Sequence, residues 1–397
     1  MRPSLRTTTL VVAAIIAAGS AGAQQRAAAA YMNIGFDALT DFGWSTARDV
    51  ARLQRGDHDP HVRGFTIPNA ELTLDGAVDP YFKGFANIVW KLDPKGETEL
   101  ELEEVYALTT ALPKNLQIKA GQFFADFGRQ NAQHPHAWSF VDQPLVMNRM
   151  LGPDGLRGQG ARVSWLLPTH FYTEAMLTAL NSAGGDEYSF RSDESSEIHG
   201  GVPVDRTVKN GGDLTVVPRI ASSFDLTSNQ VLLVGLSGAF GPNNAGNDTR
   251  SSLYGADVYW KWKSPTAAAG FPFWSFQAEA MYRNYETADR VSATDASVTL
   301  PAETLKDRGA YAQVLWGIRP RIVAGVRYDW ANGDKAAFDE ELRDRRTRIS
   351  PSFTLYPTEF SKLRLQYNYD DRAGIGTDHS IWLQFEFILG AHAAHKF

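Results

Sequence analysis

Strict alternation of apolar and polar residues dominates the chain from end to end. Within residues 363–370, Leu363, Leu365, Tyr367 and Tyr369 share one face of an extended segment, and the intervening polar residues share the other. Sixteen such segments begin near residues 31, 64, 81, 99, 115, 158, 170, 214, 230, 251, 273, 307, 320, 345, 361 and 379. This period of two predicts sixteen β-strands.

The lengths of the segments and of their connections narrow the fold class. Most segments are 9 to 14 residues long, whereas a usual strand has about 5–6 residues and a tilted strand of about 9–11 residues crosses a bilayer. Seven short connections interleave with eight long ones. Short periplasmic turns and long external loops are typical of outer-membrane barrels. We therefore predict an all-β, transmembrane antiparallel β-barrel of sixteen strands in the bacterial outer membrane, surrounded by outer-membrane lipid.

The N-terminus has the pattern of a secretory signal peptide over residues 1–23. Arg2 and Arg6 precede an apolar run over residues 7–18, and Ala21 and Ala23 provide a small-residue cleavage site. We expect residues 24–397 to form a single barrel. The chain has no cysteine, which excludes thiol catalysis and Cys-ligated zinc. Its formal net charge of −6 argues against nucleic acid as a partner.

Residues 127–157 form the third long connection. A loop of 31 residues is uncommon unless it is functional, and sixteen strands enclose an aqueous channel. In sixteen-stranded porins the third external loop typically folds into the lumen. By this analogy, we expect the pore constriction to be lined by the charged and imidazole side chains of Arg129, His134, His136, Asp142, Arg149 and Arg157. The alternative is a loop that caps the outside of the barrel.

The histidines of the long loops are candidate zinc ligands, because Zn²⁺ binds imidazole nitrogen and carboxylate oxygen. The candidates are His58 and His61 in the first long loop and His134 and His136 in the third. The alternative is that they are ordinary solvated loop residues. No other cofactor is expected. Ser164 and His170 are close in sequence but have no third partner or oxyanion-type glycine turn, so we expect no enzymatic activity and no catalytic residues.

Strand alternation also predicts which charges face the lumen. The acidic candidates are Glu71, Asp75, Glu99, Glu101, Glu103, Asp257, Glu279, Asp329 and Glu386. The basic candidates are Lys83, Lys119, Arg162, Lys261, Arg283, Arg321, Arg327, Arg348 and Arg364. Because rings of one sign select ions of the other, this mixture does not favour a strongly anion-selective pore.

Residues 64–168, which begin "GFTIPNAELTLDGAVDPYFKGFANIV" and end "RVSWLLP", resemble the zinc-regulated outer-membrane receptors, a group often labelled TonB-dependent. The final "LQFEFILGAHAAHKF" is similar to the ending of that group. The central block is more distantly similar to the phosphate-selective porins. TonB-dependent receptors carry a plug domain and about 22 strands, whereas the first strand here begins within ten residues of the predicted cleavage site. We therefore expect no plug domain and no energy-coupled transport.

These observations lead us to expect a porin-like channel for passive uptake of small solutes or ions, including zinc or a zinc complex under zinc limitation. The alternatives are a phosphate- or anion-selective porin and a non-conducting binding or structural barrel. Residues 390–397 form a histidine-containing tail that ends in Phe397, through which we expect the barrel-assembly machinery to act. A homotrimer, common among porins, is an alternative to a monomer.

Overall fold

The computed structural model describes residues 32–93, 95–181, 187–192, 199–200, 202, 204–268, 270–291, 297–337 and 340–390. The predicted signal peptide and residues 391–397, which include Phe397, lie outside these ranges. No helix in the described part of the chain has the length and apolarity needed to cross a bilayer.

Sixteen strands close into an antiparallel barrel in which sequential barrel strands pair and β1 pairs with β18. The barrel strands are β1 (Met32–Ser45), β2 (Gly64–Ala77), β3 (Phe82–Leu92), β4 (Thr98–Thr109), β5 (Leu116–Phe124), β6 (Arg157–Leu166), β7 (Tyr172–Asn181), β8 (Leu214–Thr227), β9 (Gln230–Pro242), β10 (Arg250–Ala268), β11 (Phe271–Thr287), β14 (Glu303–Arg319), β15 (Ile322–Gly333), β16 (Arg346–Thr358), β17 (Ser361–Arg372) and β18 (Gly376–Gly390). The predicted sixteen-stranded antiparallel barrel is confirmed. The alternation did not predict a small hairpin of β12 (Arg290–Val291) and β13 (Thr299–Leu300), which lies between β11 and β14.

The two faces of each strand reverse the polarity of a soluble β-protein. On β17, Lys362, Arg364 and Gln366 are buried inside the barrel, whereas Leu365 and Tyr367 are exposed on its outside. An apolar outer band and a polar interior are the arrangement that lipid requires of a membrane barrel. The alternation therefore records the lipid face and the lumen face of each strand.

The third long loop, here called L3 (residues 125–156), lies inside the barrel and begins two residues earlier than predicted. The backbone N–H of Gly128 donates to Ser237 Oγ on β9 at 3.1 Å, and that of Val141 donates to Gln366 Oε1 on β17 at 2.7 Å. These strands stand six positions apart around the sixteen-stranded barrel. L3 also carries a buried helix, α2 (Leu145–Met150). L3 therefore spans the lumen between two distant parts of the wall.

Apolar packing holds L3 against one part of that wall. Its buried residues join lumen-facing residues of the strands in one cluster, which contains Phe123, Ala125, Phe127, Val146, Met147, Met150, Leu151, Leu156, Leu180, Phe190, Val217, Ala239, Leu253, Met281 and Tyr311. Two glycines make room for L3. A Cβ atom at Gly255 would lie 2.9 Å from the ring of Phe127, and one at Gly309 would lie 2.8 Å from Val146 Cγ2. Because glycine has no side chain, these two positions on the wall allow L3 to approach the strands closely.

Candidate constriction and lumen sites

His134 and His136 of L3 face a wall of carboxylates. Their rings stack with centroids 5.8 Å apart and planes 9° apart. His134 Nδ1 lies 2.8 Å from Glu103 Oε2, and His134 Nε2 lies 2.9 Å from Glu104 Oε2. Both ring nitrogens of His134 thus contact a carboxylate of β4.

His136 extends this contact to β1 and β2. Its Nδ1 lies 3.2 Å from Glu71 Oε2 and 3.3 Å from Asp37 Oδ2. Asp37 is 1% exposed, and neither of its carboxylate oxygens accepts a hydrogen bond from the described residues. A buried carboxylate in this state is costly unless a cation compensates it. A proton or a bound cation would therefore stabilise the Asp37 carboxylate.

A β-bulge brings two consecutive glutamates onto this wall. Asn87 of β3 pairs with Glu104 and Ile88 pairs with Leu102, so Glu103 is the extra residue of β4. Both glutamate side chains are buried inside the barrel. The sequence prediction included Glu103 but missed Glu104, because strict alternation places Glu104 on the lipid face.

The carboxylates control the charge of the two imidazoles. Burial alone would lower the pKa of His134, but the carboxylates of Glu103 and Glu71 outweigh burial and hold that pKa well above its ordinary value. For His136, burial has the same lowering effect, and Glu71 and Asp37 raise its pKa above the ordinary value. The carboxylates therefore favour the protonated form of both rings.

His58 belongs to the first long loop, here called L1 (residues 46–63), and lies beside this wall. Its Nδ1 contacts the carbonyl oxygen of Pro68 at 3.1 Å, and its Nε2 lies 3.5 Å from Glu103 Oε1 and 3.4 Å from Asp154 Oδ1. Burial would lower the pKa of His58, but Asp154 and Glu103 raise it well above its ordinary value. His61 stands apart, with its Nε2 2.7 Å from the carbonyl oxygen of Gly56.

Three groups of side chains place their ligand atoms within 4.8 Å of one another, close enough to share one metal ion. These groups are Asp37, Glu71 and His136; Glu71, Glu103 and His134; and Asp57, His58 and Asp154. Nitrogen and carboxylate oxygen form a donor set that suits Zn²⁺. The structure thus brings three of the four predicted metal ligands next to carboxylates, and His61 is in none of these groups.

Asp142 is a buried anchor of L3. Its Oδ1 lies 2.6 Å from a guanidinium nitrogen of Arg327, and its Oδ2 lies 2.8 Å from one of Arg348. It also accepts hydrogen bonds from the side-chain amides of Gln54, Gln366 and Asn368. Burial would raise the pKa of Asp142, but Arg348 and Arg327 hold it below its usual range.

The arginines predicted for the constriction occupy separate places. Arg149 is buried and donates to the backbone carbonyl oxygens of Arg343 and Asp344 at 3.2 and 2.7 Å. Arg157 forms ion pairs with Asp154 at 2.7 Å and with Glu101. The charged groups of Asp142, Arg149 and Arg157 therefore hold loops and strands together. Arg157 also donates to the backbone carbonyl oxygen of Glu103, beside the acidic wall.

Arg129 lies on the periplasmic side of L3. Its Nε donates to Gln277 Oε1 at 3.2 Å, and its guanidinium carbon stands 4.1 Å from the centre of the Tyr259 ring. The six predicted constriction residues thus contact different parts of the barrel and do not form one ring. Sequence reasoning missed Asp37, although it shares the inward face of β1 with Leu39 and Asp41, so the same parity rule applied to β1 identifies it.

Comparison with known proteins supports the fold. No family model matches the sequence. The outer membrane channel DcaP of Acinetobacter baumannii is 13% identical, covers 91% of this chain and 97% of its own, and has a TM-score of 0.58. OmpF of Salmonella typhi, solved in complex with daunomycin, is 10% identical over 91% of this chain and 98% of its own, with a TM-score of 0.52. The trimer form of OmpT, an outer membrane protein of Vibrio cholerae, is 8% identical over 90% of this chain and 99% of its own, with a TM-score of 0.50.

The structural neighbours and the closed barrel place this protein in the bacterial outer membrane. The resemblance to zinc-regulated receptors stays a prediction. A sequence relative is an uncharacterized protein of Aquifex aeolicus (strain VF5), which is 33% identical over 355 residues, 84% of this chain and 70% of the relative. The chain belongs to the same family as this Aquifex aeolicus protein.

Proposed function

We propose that this barrel is a passive, porin-like channel for small solutes or ions, with no enzymatic activity. The observation that carries the proposal is the position of L3, which spans a polar lumen and holds His134 and His136 against carboxylates of the wall. Passage would be selected by charge and size where L3 narrows the lumen. The fold shared with the outer membrane channel DcaP supports this proposal.

The finer proposal is that a divalent cation such as Zn²⁺ is a substrate of the channel under zinc limitation. Asp37, Glu71 and His136 would hold it at one site, and Glu71, Glu103 and His134 at a neighbouring one. The buried oxygens of Asp37 accept no hydrogen bond from the described residues, which supports the fit. The imidazoles would release their protons as the ion binds. A transported ion must also leave, and Glu71, which belongs to two of the groups, would connect two neighbouring sites for it.

The test is single-channel conductance of the refolded mature protein in planar bilayers, with and without micromolar zinc. We expect stepwise conductance that zinc blocks, and we expect the block to disappear in the double variant His134→Ala/His136→Ala. The matched control is His61→Ala, since His61 lies outside the three ligand groups, and its channels should remain sensitive to zinc. Conductance indifferent to zinc would leave a general porin, and no conductance at all would overturn the channel proposal.

A non-conducting binding or structural barrel is the second candidate. It is favoured by the hydrogen bonds of Asp142, which join L1, L3 and three strands through fully buried side chains. The same bilayer recording separates the two candidates, because a non-conducting barrel inserts without current steps.

We also propose that the barrel forms a homotrimer, which the trimer form of OmpT supports. Light scattering of the detergent-solubilised protein should give three chains per particle, and a single chain would contradict this. Recognition by the assembly machinery through Phe397 remains a prediction about a residue outside the described ranges.

A further inference from the structure

We propose that the periplasmic half of the lumen holds a binding site for a small organic anion that carries a carboxylate on an aromatic body. Of the residues in the three possible metal-binding groups, only His136 also lines this site. It would give the proposed channel a second substrate class, but binding at this site does not require conduction.

The site is a cavity of about 360 Å³ beneath L3. Ser275 and Gln277 line it from the beginning of β11, and Thr354 and Tyr356 line it from the end of β16. Both positions lie next to short connections, so the cavity is in the half of the barrel near the periplasmic turns. Its volume is within the range of small-molecule pockets, about 300–1,000 Å³.

The charged side chains that line the cavity are all basic. Five basic side chains contribute to it, those of Arg129, His136, Lys261, Lys362 and Arg364, and no aspartate or glutamate among the described residues lines it. His136 is paired with Glu71 of the acidic wall. Lys362 pairs with Glu386 behind the lining, and this pair offsets its own charge. Arg129, Lys261 and Arg364 remain to give the cavity a net positive charge.

Arg129 and Lys261 are two partly buried basic side chains whose positive charge an anion would stabilise. The Arg129 side chain donates to an uncharged amide, that of Gln277. Lys261 Nζ stands 4.8 Å from the centre of the Phe273 ring. Within the described part of the chain neither side chain forms an ion pair. A partly buried cation without a counter-ion is destabilised relative to one that meets an anion.

Arg364 adds a positive charge from the opposite side of the cavity. Its guanidinium donates to the carbonyl oxygens of Trp138 at 2.8 Å and of Phe140 at 3.1 Å, both in L3. These neutral acceptors fix its position and leave its charge in place. The cavity therefore faces a ligand with cations from L3, β10 and β17.

Aromatic rings make the cavity suitable for an organic anion. Tyr259, Phe273, Tyr356 and Trp138 line it together with the basic groups. Aromatic rings favour stacked or edge-to-face contact with another ring, whereas inorganic phosphate would gain nothing from them. We therefore infer an aryl carboxylate as the ligand class. Inorganic phosphate is the alternative anion, and the test below compares the two.

The test is isothermal titration of the refolded mature protein in detergent with sodium benzoate, and in parallel with acetate, phosphate and benzylammonium. We expect benzoate to bind more tightly than acetate or phosphate, and benzylammonium not to bind. Lys261→Gln and Arg129→Gln should each weaken benzoate binding about tenfold, since each removes a charge-assisted contact.

The matched control is Lys263→Gln, which removes a lysine from the same strand, two residues from Lys261, that does not line the cavity. It should bind benzoate like the unaltered protein. The site would be overturned if benzoate did not bind, or if Lys261→Gln, Arg129→Gln and Lys263→Gln weakened benzoate binding equally. Phosphate binding as tight as benzoate would overturn the aromatic ligand class. Because titration in detergent requires no current, its failure is distinguishable from failure of the channel proposal.

Discussion

At the scale of single residues, the position of L3 depends on polar groups that the strands present to its backbone. Glu279 of β11 accepts hydrogen bonds from the backbone N–H groups of Arg129 at 3.0 Å and of Gln130 at 2.8 Å. The hydroxyl of Tyr311 donates to the same carboxylate at 2.6 Å. One side chain therefore satisfies two buried donors of a loop that has no regular structure at this point.

Replacing Glu279 with alanine should release the first part of L3. Two backbone donors would lose their acceptor, at a cost of about 1–3 kcal/mol for each one left unsatisfied. We expect faster hydrogen exchange over residues 127–131 and a higher single-channel conductance. The control is Asp225→Ala, an exposed carboxylate near the periplasmic end of β8. Unchanged exchange in Glu279→Ala would show that apolar packing alone holds this segment.

A residue-scale pH dependence concerns His199, which lies in the connection between β7 and β8 and is buried against Arg283 of β11. Its Nδ1 lies 2.7 Å from Glu340 Oε2, and its Nε2 lies 2.7 Å from a guanidinium nitrogen of Arg283. Burial lowers the pKa of His199, Glu340 opposes this effect, and Arg283 adds to it, so the pKa falls below its ordinary value. The neutral ring fits, since it donates to Glu340 and accepts from Arg283.

The sign of the pH effect follows from this lowered pKa. Between the folded value and the ordinary value of about 6.5, the unfolded chain binds a proton that the folded chain does not. Stability from this contact is therefore present above about pH 6.5 and is lost as the pH falls towards the folded pKa. We expect residues 187–192 to lose exchange protection between pH 7.5 and 5.5, after correction for intrinsic rates. His199→Gln, which stays neutral, should abolish the change, and an equal change in that variant would contradict this assignment.

At the scale of elements, L3 packs against the regular strand β10 because a glycine on the strand's inward face leaves room for a side chain of the loop. The inward face of β10 carries Gly255 between Leu253 and Asp257, and the ring of Phe127 occupies the space that a Cβ would need. Alternation predicts the strand but does not reveal that its glycine is a contact site for L3.

Gly255→Ala should therefore displace Phe127 without disrupting β10, because the nearest atoms to the added Cβ all belong to the Phe127 ring and none to the backbone. Overpacking of this kind typically costs about 1–3 kcal/mol. We expect a lower midpoint of denaturant unfolding and an altered conductance. The control is Gly211→Ala, where nothing lies within 4 Å of the added Cβ. Equal midpoints for the two variants would show that L3 yields without cost.

At the scale of the whole molecule, buried ion pairs tie loops to the barrel in place of a continuous apolar core. Asp142 of L3 contacts Arg327 of β15 and Arg348 of β16, and Gln54 of L1 donates to it at 2.9 Å. Arg348 also contacts Asp370 of β17 at 2.9 Å. Without the charge of Asp142, Arg327 keeps Asp329 and Arg348 keeps Asp370, but the buried network loses one of its negative charges.

Asp142→Asn should accordingly lower the free energy of unfolding by about 3–5 kcal/mol, the usual loss when one partner of a buried pair is removed. Guanidinium unfolding of the refolded barrel, followed by tryptophan fluorescence, measures this loss. Asp75→Asn provides the control, because Asp75 is exposed on β2 and bonds only Asn33 among the described residues. A loss no larger than that of the control would show that solvent or a neighbouring group compensates the arginines.

The sequence by itself determined the number of strands, their approximate bounds and the face of most residues. Successive side chains of a strand point to opposite faces of the sheet. Lipid requires apolar side chains on the outer face, and the lumen accepts polar ones on the inner face. Each strand therefore shows this pattern in its own sequence. Arg283, Arg327, Glu71 and Glu279, for example, were predicted to face the lumen and are buried there.

Tertiary structure alone decided which of these side chains meet. The bulge at Glu103 turns Glu104 inward, and it arises from pairing between β3 and β4, which alternation within β4 does not express. L3 has no period, so the contacts of His134 and His136 depend on where Glu279, Asp142 and the glycine gaps hold the loop. Arg129 and Lys261 are 132 residues apart in the chain and share a cavity only because L3 and β10 meet inside the closed barrel. Period and loop length are local properties of the chain, whereas the sites in the lumen form between segments that only barrel closure brings together.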